Sequence, residues 1–148
     1  MATGDGWTSR LITGLAEHLH AAGVGTWRPT GSYQADDTAI VIRDIPTTPD
    51  RLITLAAYVV GGGHGNASTT QGVQIRLRAG KDPREVDDLA DAIFDLLDSA
   101  GPLTLGGVGV SQIYRQSYSS LGKDGNGRWE RSENYYLDAE RPTVHRPS

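Results

Sequence analysis

Near the N-terminus, apolar residues recur at spacings of four and three: Leu11, Leu15, Leu19 and Ala22, with Ile12 and Ala16 beside them. That period lays one apolar stripe along a helix, predicted from about Trp7 to Ala22. Glu17, His18 and His20 fall away from its centre, and Gly23 can turn left-handed and close it. Gly14 inside the stripe costs ~1 kcal/mol relative to Ala.

The pattern then changes. Gly25 to Asp37 is polar and irregular, while Thr38-Ala39-Ile40-Val41-Ile42 is β-branched and reads as a strand that stops before Pro46. Thr47 to Asp50 reads as a turn, and Arg51 to Val60 as a second strand. In Gly72 to Arg78, Val73, Ile75 and Leu77 alternate with Gln74, Arg76 and Arg78, the signature of a strand with one wet face. Between these two strands the pattern leaves a loop, Gly61 to Gln71. It is far longer than the ~2–5 residues of an ordinary hairpin connection, which points to interaction. Its glycines raise the entropy lost on ordering, so Gly61 to Thr70 is expected to order only against a neighbour.

A second helix is marked by Asp82 as N-cap, Pro83 at the first helical position and Glu85 three residues after the cap. Val86, Leu89, Ala90, Ile93, Phe94 and Leu97 form its apolar face, and Asp87, Asp88, Asp91 and Asp95 its wet one. Gly101-Pro102 ends it. Two further strands are predicted, Gly109 to Tyr118 and Trp129 to Arg141, joined through Gly122 to Gly127 with its Asp-Gly and Asn-Gly turn signals. Pro142 to Ser148 has no partner pattern and reads as a loose tail. The order α-β-β-β-α-β-β predicts one α+β domain over residues 1–148. Two helices pack on one face of a mainly antiparallel sheet of about five strands.

Composition narrows the chemistry. The chain has 148 residues, a formal charge of −4 and no cysteine, which excludes disulfides, thiol catalysis and thiolate metal sites. No stretch approaches the ~20 apolar residues of a membrane helix, and the first residues lack a signal-peptide pattern. Gly61-Gly62-Gly63-His64-Gly65 leads into a strand rather than a helix, and it lacks the Lys-Ser/Thr of a phosphate loop. The turn Asp124-Gly125-Asn126-Gly127-Arg128 starts like a calcium loop, but Arg128 and Tyr135 occupy the third-ligand and twelfth positions. His18 and His20 do not share a helix face, and no serine lies in a G-x-S-x-G elbow. No cofactor, metal or catalytic residue is expected. What remains are interaction candidates: the loop Gly61, Gly62, Gly63, His64, Gly65 and Asn66; Arg76 and Arg78 on one strand; and Lys123, Asp124, Asn126 and Arg128 at the turn. Trp129, Tyr135 and Tyr136 are of the aromatic types enriched at interfaces, although Trp129 and Tyr135 read equally well as core.

Taken in order, the N-terminal amphipathic helix, VQIRLRAGKDPREVDDLADAIFDLLDSAG, Val110-Ser111-Gln112-Ile113-Tyr114-Arg115-Gln116-Ser117 and LGKDGNGRWERSENYYLDAERP make a specific signature. From about Trp7 to Pro142 it resembles the tail terminator proteins of long-tailed bacteriophages of actinobacteria, also described as minor capsid or tail-completion proteins. The resemblance implies a homohexameric ring on the last ring of tail tube protein, which ends tube polymerisation and docks head-completion proteins of the neck. It also implies a virion protein at the tail-neck junction, made in the host cytoplasm, with no membrane partner. DNA would cross its lumen without sequence-specific binding, and an acidic chain suits a conduit that must not hold phosphates. Two alternatives stay open on the sequence: a connector or neck stopper on the portal side, and a small enzyme or ligand-binding domain.

Overall fold

Both periodic segments form helices in the computed structural model, which describes residues 2–62 and 66–147. Helix α1 spans Trp7–Ala21 and ends as Gly23 takes φ 77°. Helix α2 spans Pro83–Leu97, where the Asp82 carboxylate accepts a hydrogen bond from the Arg84 amide. Strands β1 (Thr26–Trp27), β2 (Thr38–Ile42), β3 (Arg51–Gly62), β4 (Ser68–Arg78), β5 (Leu103–Leu105), β6 (Val108–Lys123) and β7 (Trp129–Glu140) complete the fold.

The strands form one sheet in the order β1-β2-β3-β4-β7-β6-β5, strongly curled into a half-barrel. It is larger and more mixed than the expected antiparallel sheet of about five strands, since β1, β2 and β3 run parallel. The two additional strands are two and three residues long, too short to show a period. The parallel β2–β3 pair arises because residues 43–50 cross the sheet rather than fold back as a hairpin.

The long loop predicted over Gly61–Gln71 is mostly strand. Gly61 and Gly62 pair with Thr70 and Thr69, and Ser68 to Gln71 pair with Glu140 to Leu137. Apolar alternation fails there because Thr69 and Gln71, only partly buried, stand in the rows of Ala139 and Leu137 without being apolar themselves. The expectation that Gly61 to Thr70 orders only on binding is therefore corrected for its paired residues. Gly63, His64 and Gly65 lie outside the described residues. In the tail, Thr143 and Arg146 pair with each other in a tight turn.

One core holds the layers together. Leu11, Leu15 and Leu19 of α1 and Val86, Ala90, Ile93 and Leu97 of α2 bury against Ile53, Leu55, Ile75, Leu77, Ile113, Tyr135 and Leu137. Each large apolar side chain so buried contributes roughly 1.5–3 kcal/mol. Leu89 and Phe94, expected on the buried helix face, are only partly buried at its margin. Gly14 has a packing reason: a Cβ there would run into the backbone of Leu105 and Gly106. The glycine lets α1 lie directly on the β5–β6 turn.

Candidate functional site

Register divides the sheet into two faces. The helices cover the row set that contains Leu55, Ile75, Glu133 and Tyr118, and the opposite face is left largely open. Across that open face, Tyr58, Gly72, Tyr136 and Tyr114 lie in one row over four strands. Tyr114 and Tyr136 meet edge to face at 5.7 Å between ring centroids. Tyr58 leans over Gly72, where a Cβ would strike its ring. Desolvation, with Tyr136 nearby, pushes the Tyr58 phenol up; desolvation, with Asp138 and Tyr136, does the same for Tyr114. The next rows add Gln74, Asn134 and Ser117, then Thr54, Arg76, Ser132 and Ser119. The face is thus aromatic and polar, with no apolar stripe awaiting a helix.

Arg76 stands on this face, half-buried, with Nη2 at 2.9 Å from Glu130 Oε1. Arg78, grouped with it by sequence as an interface residue, is instead 3% exposed. Its guanidinium donates to the carbonyls of Pro46 (2.8 Å), Pro49 (2.7 Å) and Asp50 (2.9 Å). Burial and the neighbouring Arg128 cation hold its pKa below the ordinary arginine value. Arg128, expected in the interface turn, is buried as well and donates to Thr47 O at 2.6 Å and Asp50 Oδ1 at 3.1 Å. Both arginines fasten the β2–β3 crossover to the base of the sheet. Neither has a free guanidinium to offer a partner.

At the turn itself, Asp124 Oδ1 accepts from the amides of Asn126 and Arg128, both at 2.9 Å, and Oδ2 from Arg128 Nε at 2.8 Å. Desolvation opposes ionisation, but these donors hold the Asp124 carboxyl below the usual carboxylate range. Asp124 therefore shapes the turn, leaving exposed Lys123 and Asn126 as its outward side chains. Lys123 sits 5.6 Å from the centre of the partly buried Trp129 ring. Tyr135 is core, fully buried.

Sequence reasoning missed an ionic cluster under the helix face. Glu133, with 0% exposure, bridges Arg115 (Oε1 to Nη1, 3.1 Å) and Arg131 (Oε2 to Nε, 3.0 Å). Arg131 also reaches Asp87 at 3.0 Å. The Tyr118 ring stacks against Arg115 and Arg131, at 4.7 and 4.1 Å, and Arg115 also covers Phe94 at 4.3 Å. The cluster ties β6 and β7 to α2. Its signal was present in the strand alternation, where Arg131 and Glu133 share the parity of Tyr135 and Leu137.

Among the described residues, no three His, Asp or Glu side chains gather as a metal site. His20 is occupied locally, accepting the Trp27 amide at Nδ1 (3.0 Å). No helix among them is long and apolar enough to cross a membrane.

No curated protein sequence matches the chain. Among solved structures, it is similar to a chain in the virion of a native gene transfer agent particle. Identity is 14% over 68% of this chain and 78% of that one, with a TM-score of 0.56, a likeness of fold. A second solved chain is 14% identical over 70% of this chain and 80% of its own, with a TM-score of 0.44. A family model described as bacteriophage tail terminator protein matches residues 18–141. The match covers most of the chain and recurs on the sequence signature found independently, so the chain belongs to the bacteriophage tail terminator family, a family of structural tail proteins.

Proposed function

We propose that this protein forms a hexameric ring on the end of the tail tube. There it ends tube polymerisation and offers the head-completion proteins a docking surface at the tail-neck junction of the virion. Membership of the tail terminator family over residues 18–141 is the observation that carries the reading. The surface supports it: a broad aromatic and polar sheet face suits protein contacts, and a capping ring needs no catalytic group. A net charge of −4 suits a lumen through which DNA passes without being held by its phosphates. Arg76, Lys123, Asn126 and the hairpin end with Gly61 and Asn66 are the contact candidates that keep an exposed or half-exposed position.

The test is cryo-EM of particles that contain the protein, together with tails made without it. Six copies around the tail axis at the head-proximal end of the tube, and tubes of uncontrolled length in its absence, are expected. Another copy number would reject the ring geometry. A position on the portal side, with tube length unchanged in its absence, would reject the terminator role in favour of a connector.

A further inference from the structure

The curled sheet has two edges left open, one on each side. On the β3 side, β2 pairs only with Arg51 to Leu55, and the Arg43 guanidinium reaches as far as Ala57 O at 3.3 Å. Among the described residues, Tyr58 to Gly61 then have β4 alone as a neighbouring strand. On the β6 side, β5 covers Val108 to Val110, Ala100 bonds to Ile113, and Asp98 accepts the Arg115 amide at 2.9 Å. Among the described residues, Gln116 to Gly122 then have β7 alone.

Neither edge carries the lysine or proline that commonly guards an exposed strand edge. Tyr58 to Gly61 and Gln116 to Gly122 contain no lysine, proline or charged residue, although register shifts at Val59/Gly61, Arg115/Ser117 and Ser120/Gly122 bend both edges. Each nevertheless exposes large hydrophobic side chains. Val59 is 93% exposed on one, and Tyr118 and Leu121 are 58% and 45% exposed on the other. Ile42 and Ile45, beside the β3 edge, are exposed as well. Of the two terminal strands, β1 has its outward amides engaged locally, Trp27 N–H by His20 and the following Arg28 N–H by the Tyr33 hydroxyl.

From these edges we infer that ring neighbours join by strand pairing, the β3 edge of one copy (Tyr58 to Gly61) lying antiparallel to the β6 edge of the next (Gln116 to Gly122). Direction favours it. Three successive antiparallel pairings separate β3 from β6, so a second copy continuing the sheet in the same sense presents its β3 antiparallel to β6. A head-to-tail contact of unlike patches is also the kind that generates a ring. Pairing β6 with β6 would bury one edge and leave Val59 exposed; the unlike contact buries both in a single interface. The edges are staggered too. Tyr118 is in register with Leu55 through Glu133 and Ile75, about four residues from Val59. Such a shift is what a closed ring of tilted strands requires. The buried Glu133 cluster would then have a second role, holding Tyr118 and the distal part of β6 in place for the neighbour.

This inference rests on the ring reading, and its test separates the two. The chain has no cysteine, so introduced thiols are unique. Val59 and Ser120 are exposed and lie on the same face of the sheet by register. The double variant Val59→Cys/Ser120→Cys and each single variant are treated, as full-length concentrated protein, with a thiol-specific cross-linker. Its span covers register shifts of about three residues, roughly 10 Å at ~3.3 Å each. A ladder of covalent dimers, trimers and larger species from the double variant alone is expected. A monomer band throughout, or dimers from either single variant, overturns the pairing. A hexameric ring seen in particles with the two edges apart also overturns it, while leaving the terminator function standing.

Discussion

Replacing Glu133 by Gln removes one charge and almost no volume, so its effect isolates the ionic cluster. Each carboxylate oxygen of Glu133 accepts from a different guanidinium, Arg115 at 3.1 Å and Arg131 at 3.0 Å. Glutamine keeps one acceptor and turns an NH2 group toward the second arginine, leaving two cations facing each other without their shared anion. Removing one partner of a buried ion pair typically costs ~3–5 kcal/mol. Here Arg131 keeps Asp87, and the side chains of Arg115 and Arg131 retain 21% and 12% exposure, so solvent softens the loss. The expected cost is about 3 kcal/mol, near the bottom of that range. At ~2–4 °C per kcal/mol for a chain of this size, Tm should fall by about 6–12 °C. Thermal denaturation followed by circular dichroism measures it. Combining Glu133→Gln with Arg115→Met should recover part of the loss, because one uncompensated cation is then gone. Melting of the single variant within about 2 °C of the parent, at most about 1 kcal/mol at that slope, would refute the electrostatic account.

Gly14→Ala should destabilise the protein despite the ~1 kcal/mol gained in helix propensity, because the new Cβ meets the Leu105–Gly106 backbone; overpacking of this kind costs ~1–3 kcal/mol, read as a lower denaturation midpoint. The Asp82 carboxyl is lowered from 3.8 to about 2, first by the hydrogen bond from the Arg84 side chain and then by the Arg84 amide. Because the folded pKa lies below the unfolded one, its contribution is present above about pH 4 and is lost as the pH falls toward 2. Asp82→Asn keeps a cap but should flatten the decline of stability over that window in denaturant titrations at successive pH values.

Local rules in the sequence determined the helices and their caps: the four- and three-residue spacing of Leu11, Leu15 and Leu19, and the Asp82-Pro83-Glu85 start, each depend only on neighbours within one turn. The alternation of Val73, Ile75 and Leu77 likewise marked a strand and its buried face, because burial imposes a period of two wherever a helix layer lies above. Where the facing positions are polar the period vanishes, which is why Ser68 to Gln71 read as loop although β3 and β7 flank it on both sides. The same logic hid the roles of the arginines. Arg76 and Arg78 share a strand face and look alike in sequence, yet only the β2–β3 crossover, arriving from about thirty residues away, supplies the carbonyls that engage Arg78. Family membership was legible because motif order survives in the chain. Open edges, by contrast, depend on which strands end up without a neighbour, and that is decided only when the whole sheet has formed.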